Sequence, residues 1–88
     1  MRLFGHQNQD DDTLLALKEV SIEIADTDVV RLRQLADFFS RVAVLMEQTG
    51  KAFGHEHFSF FCRNSGIEVA PGEPDLIIAR RVESESHM

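Results

Sequence analysis

The stretch from Asp28 to Gln48, DVVRLRQLADFFSRVAVLMEQ, is the only long segment of this 88-residue chain with a clear hydrophobic period, and its reading decides the fold. Leu32, Leu35, Ala36, Phe39, Val42, Ala43 and Met46 recur at three- and four-residue spacing. That spacing gathers them on one side of an α-helix and predicts that this side faces the core. Arg33, Gln34, Asp37, Arg41 and Gln48 fall on the opposite side. Phe38 and Leu45 widen one edge of the apolar stripe, where a loop or strand is expected to pack. Asp26-Thr27-Asp28 offers three candidate N-caps, of which Asp28 is the expected one. Gly50 is the expected stop, because glycine enters the left-handed region without a Cβ penalty.

Upstream, Leu14 to Ala25, LLALKEVSIEIA, reads as a strand. Val20, Ile22 and Ile24 alternate with Glu19, Ser21 and Glu23, the period of a sheet with one buried and one wet face. Leu15 and Leu17 share parity with the glutamates, so a bulge or sharp twist near Lys18 is needed to turn both toward the core. Arg2 to Gln7 is expected to pair back on this strand as a hairpin, with Asp10, Asp11 and Asp12 near its tip.

Downstream, the helix empties into Gly54-His55-Glu56-His57. The aromatics of His55 to Arg63, HEHFSFFCR, favour a strand with Phe58 and Phe60 on one face and Phe61 on the other, with a short helical turn after Gly54 as the alternative. A turn at Asn64-Ser65-Gly66, a short extended piece at Ile67 to Ala70, and a break at Pro71-Gly72-Glu73-Pro74 follow. Asp75 to Val82 reads as a further strand, and Glu83 to Met88 as a frayed tail. The expected fold is therefore α+β in one domain over residues 1–82: an antiparallel sheet of about three or four strands with one long helix packed on one face.

Fifteen Asp and Glu against nine Lys and Arg give a formal charge of −6, which disfavours nonspecific contact with nucleic acid or an anionic membrane and favours a basic partner. No apolar run approaches the roughly 20 residues that span a bilayer, and Met1 to His6 is too short and polar for a signal peptide. These features predict a cytoplasmic protein. Cys62 is the single cysteine, so no internal disulfide forms, and its neighbours Phe60 and Phe61 predict a packed thiol. The apolar residues spread over Leu14 to Leu17 allow a homodimer that covers the second face of the strand.

His55-Glu56-His57 is the one local cluster with catalytic or metal-binding composition. On a strand the two imidazoles share a face, where His6 or Cys62 would be a third metal ligand. The spacing is weak, because it lacks the i, i+4 pair of a helical zinc site. Gly50-Lys51-Ala52-Phe53-Gly54 has neither the spacing nor the Ser/Thr of a phosphate loop, and the serines lack the turn of a nucleophile elbow. An enzyme and a bound cofactor are not expected. The acidic residues Asp10, Asp11, Asp12, Glu19 and Glu23 are more informative as a field: they would speed encounter with a cationic partner.

The order of these features resembles one family of immunity proteins from bacterial polymorphic toxin systems. The resemblance rests on Leu15-Ala16-Leu17-Lys18-Glu19-Val20, on Leu32-Arg33-Gln34-Leu35-Ala36-Asp37-Phe38, and on Phe53-Gly54-His55-Glu56-His57-Phe58. It covers most of Met1 to Phe61 and fades in the C-terminal third, and the aromatic run Phe58-Ser59-Phe60-Phe61 departs from it. It implies an intracellular, noncatalytic protein that binds and neutralises a cognate toxin, for which an acidic surface would suit a basic nuclease. No role transfers to His55, Glu56 or His57. A small metal-binding module built on His55 and His57, or a self-associating structural domain, are the competing readings.

Overall fold

The structure, a computed structural model, describes residues 1–5 and 15–81. The expected hairpin tip with Asp10, Asp11 and Asp12, the candidate ligand His6 and the expected tail at 83–88 lie outside the described residues. Within them the order is β1 (Leu3–Gly5), β2 (Leu15–Leu17), α1 (Val29–Thr49), a single 3-10 turn (Gly50–Ala52), β3 (His55–His57), α2 (Phe58–Asn64) and β4 (Ile77–Ala79). The chain is thus α+β. Instead of one sheet of three or four strands, the described residues form two antiparallel pairs, β1 with β2 and β3 with β4.

In the first pair Leu3 lies opposite Leu17, Phe4 opposite Ala16 and Gly5 opposite Leu15, which bears out the hairpin. The ladder ends at Leu17 and the chain bends at Lys18, where the sequence loses phase. Val20 to Ile24, expected to continue the strand, belongs to no ladder. Its alternation remains useful to the fold in one respect, since Ile24 packs against the core.

α1 begins and ends where its chemistry dictates. The Asp28 carboxylate accepts a hydrogen bond from the Arg31 N–H at 3.3 Å, satisfying one of the free donors of the first turn. At the other end Gly50 takes φ 54°, and its N–H donates to the Met46 carbonyl. The face that α1 buries shares Leu35 and Val42 with the expected apolar stripe but is rotated toward its edge. Leu35, Phe38 and Val42 are its buried residues, with Phe38 only 1% exposed, and Leu45 packs alongside. Leu32 and Phe39 remain 56% and 45% exposed. What the sequence suggested as an edge is the centre of the inner face.

The expected strand over His55 to Arg63 divides at Phe58 into β3 and α2. Helical spacing places Phe58, Phe61 and Cys62 on one side, and Phe60, expected beside Phe58, points outward. Phe38 of α1 meets Phe58 edge-on at 5.4 Å between ring centroids and Phe61 at 5.6 Å. Leu35, Phe38, Val42, Phe53, Phe58 and Cys62 form the buried core, and Ile67, Val69, Leu76 and Ile78 close its open side. Burying each large apolar side chain contributes about 1.5–3 kcal/mol, so this cluster is the main reason the two helices stay together.

β4 returns to β3 with His55 opposite Ala79, Glu56 opposite Ile78 and His57 opposite Ile77. The turn before it is set by Pro71 and Gly72: Glu73 N–H donates to the Ala70 carbonyl at 3.1 Å, and Gly72 has φ 80°. Proline then glycine at the two central positions is the combination a type II turn requires. Among the described residues no helix is long and apolar enough to cross a membrane.

Candidate functional site

The His55-Glu56-His57 strand presents its last residue to a carboxylate eighteen positions away. His57 Nδ1 donates to Asp75 Oδ2 at 2.8 Å. A carboxylate only accepts, so this bond fixes the hydrogen on Nδ1. The same carboxylate accepts from the Ser59 N–H and hydroxyl, both at 2.9 Å, and from the Leu76 N–H at 2.9 Å. Burial alone would raise the Asp75 carboxyl, but the bonds from His57, Ser59 and Leu76 outweigh it and hold it below the ordinary carboxylate value. Asp75 therefore stays ionised, takes up a free N–H at the start of α2, and fastens the β4 segment to it.

The arrangement contains Ser, His and Asp, but the carboxylate stands between the other two and bonds both. A nucleophilic triad needs the imidazole next to the hydroxyl. The hydroxyl also lies near the Arg63 guanidinium, at 3.5 Å. This geometry anchors a helix start and leaves the serine without a base.

His55 and His57 do share a region, with ring centroids 5.1 Å apart in an edge-to-face arrangement. With Nδ1 of His57 committed to Asp75, Nε2 is the nitrogen that remains for any other contact. Among the described residues no group of three or more His, Cys, Asp or Glu side chains comes together as a metal site. Cys62, the other candidate ligand among them, is fully buried in the core. Burial pushes its thiol up; the Arg31 guanidinium opposes the shift, while Glu73 and Asp75 add to it.

Arg31 is a structural residue that the sequence pattern did not bring out. It sits on the inner face of α1 and reaches Glu73 at 3.3 Å. Its position one turn before Leu35 in the buried stripe was the available signal, since a cation at such a position calls for a carboxylate from a packed segment. Glu73 also accepts from the Ala70 N–H at 3.4 Å, so one side chain joins the turn to the helix. Asp75 carried no comparable signal, because its side-chain partners His57 and Ser59 are distant in sequence.

The acidic candidates within the described residues, Glu19 and Glu23, are both exposed on the segment between β2 and α1. Asp26 and Asp28 continue the acidic run toward the helix start, and Val20 and Ile22 between them stand 56% and 54% exposed. Charge and apolar surface are thus interleaved along one extended, outward segment. Ile22 and Ile24 border a shallow apolar groove on α1 formed with Leu32, Leu35, Ala36 and Phe39. No family model, curated protein or solved structure matches the chain.

Proposed function

We propose that this protein is a noncatalytic immunity protein that acts in the cytoplasm by binding and neutralising a bacterial toxin, a basic nuclease being the class its charge suits best. The observation that carries the reading is the exposed segment from Lys18 to Asp28. Four carboxylates, those of Glu19, Glu23, Asp26 and Asp28, stand there around uncovered Val20 and Ile22. Acidic groups around apolar contact points combine steering with burial, which is what a tight, selective inhibitor of a cationic protein needs. The resemblance of Leu15 to Val20, Leu32 to Phe38 and Phe53 to Phe58 to immunity proteins supports the same reading. Neutralisation by this route needs affinity alone, with no cofactor and no contact with nucleic acid.

Co-expression tests it. A toxin domain encoded beside this gene should arrest growth when expressed alone and should be silenced by this chain. Reversing both Glu19 and Glu23 to lysine should slow association about tenfold at low salt and much less at high salt. Growth arrest that persists in the presence of the folded chain would overturn the proposal.

A further inference from the structure

The flank of α1 beside its buried stripe carries a complete heptad seam. Val29, Leu32, Ala36, Phe39, Ala43 and Met46 follow the alternating three- and four-residue spacing of a and d positions over the whole helix, and all six are exposed. The inner face is a separate stripe, centred on Leu35, Phe38 and Val42. One helix therefore has two apolar faces, and the fold covers one of them. A heptad seam about 27 Å long is the surface by which one helix packs along another.

We infer that two copies of this chain pair through this seam with their α1 helices antiparallel. Size and charge together select that occupant and that direction. The a positions hold Val29, Ala36 and Ala43, and the d positions hold Leu32, Phe39 and Met46. In an antiparallel pair the a residues of one helix lie level with the d residues of the other. Ala36 then faces Phe39 of the second copy, Ala43 faces Leu32, and Val29 faces Met46, a smaller residue against a larger one in each layer. A parallel pair would stack alanine on alanine and phenylalanine on phenylalanine, leaving voids beside crowded layers. The groove beside Ala36, about 240 Å³ and bordered by Ile22, Ile24 and Leu35, is where the incoming Phe39 ring seats.

The flanking charges agree. Arg33 and Glu47 occupy e positions toward opposite ends of the seam, and both are exposed. The antiparallel register brings Arg33 of each copy toward Glu47 of the other, with Ser40 between them near the two-fold axis. The chain carries net charge −6, yet this border is locally balanced and self-complementary. The pairing surface is distinct from Leu14 to Leu17, where composition alone suggested one.

Sedimentation equilibrium of the full chain, without any other protein, tests the inference. The expected species is a dimer of twice the 10.0 kDa chain mass, in exchange with monomer. Ala36→Glu and Ala43→Glu place charges in the seam at solvent-exposed helix positions, so circular dichroism should show an intact fold while dimerisation weakens more than about a hundredfold. Arg33→Glu alone and Glu47→Arg alone should each weaken it severalfold, and the double variant should restore it, which a parallel pair would not do. A wild-type chain that remains monomeric at about 1 mM, seam variants that dimerise like wild type, or a double variant without recovery would each overturn the inference. Because no toxin is present, these outcomes leave the immunity reading to its own test.

Discussion

Asp75 is the residue on which α2 and β4 both depend. It accepts hydrogen bonds from His57, Ser59 and Leu76, so Asp75→Ala removes the acceptor for every one of these donors. The expected loss is about 2–3 kcal/mol in urea unfolding, with Asp75→Asn intermediate. Its carboxyl is held below the ordinary value in the folded chain. A group shifted in that direction stabilises the fold above its unfolded value of about 3.9, and the contribution disappears as pH falls through the lower folded value. Thermal stability should therefore fall below about pH 4, and Asp75→Asn should flatten that acid limb. Cys62 gives a second residue-scale outcome. Fully buried and with its thiol pushed up by burial, it should react with a disulfide reagent only as fast as the core opens. Labelling in the native state at the rate of a free thiol would contradict the packing described.

At the scale of elements, α1 shows what a sequence states and what it leaves open. Its ends were legible because caps are local: an aspartate accepts from the first turn, and a glycine takes the positive φ that stops the last. Asp28→Ala should cost about 1 kcal/mol, read as a lower midpoint in urea with unchanged slope. Its inner face was legible only in part. Two apolar stripes run along the same helix, and hydrophobic spacing gives no sign of which one meets the rest of the chain. Of the expected stripe Leu32, Leu35, Ala36, Phe39, Val42, Ala43 and Met46, only Leu35 and Val42 are buried, and Phe38, expected at its edge, is the most deeply buried residue of the helix. Phe38→Ala should therefore cost about 3–5 kcal/mol, whereas Leu32→Ala should cost the isolated monomer much less. α2 has a similar history. Its aromatics favour a strand by propensity, but Phe58, Phe61 and Cys62 at three- and four-residue spacing bury together only as a helix. Tertiary packing decided the matter, and the carboxylate of Asp75, remote in sequence, takes up the Ser59 N–H in its first turn. The carboxylates of Glu73 and Asp75 come from a part of the chain that no local pattern links to Arg31 or His57.

On the proposed function, the described surface of the molecule is divided between two tasks. The core of Leu35, Phe38, Val42, Phe53, Phe58 and Cys62 holds α1, α2 and the β3–β4 pair together. Outside it, the α1 seam has the shape and charge of a self-complementary face, and the Lys18–Asp28 segment has the acidity of a surface for a basic partner. On that segment Glu19 and Glu23 flank Val20 and Ile22, and Ile22 and Ile24 also border the groove on α1. His55 and Glu56 take no part in either surface, and His57 serves the internal bond to Asp75. The central claim is that this chain works by capturing another protein, and calorimetric titration of the purified chain with the toxin domain encoded beside its gene tests it most directly. Saturable binding with a dissociation constant of about 10⁻⁹ M or tighter, weakened by Glu19→Lys and Glu23→Lys and accompanied by loss of toxin activity, is the predicted result. Absence of binding between the two folded proteins would contradict it.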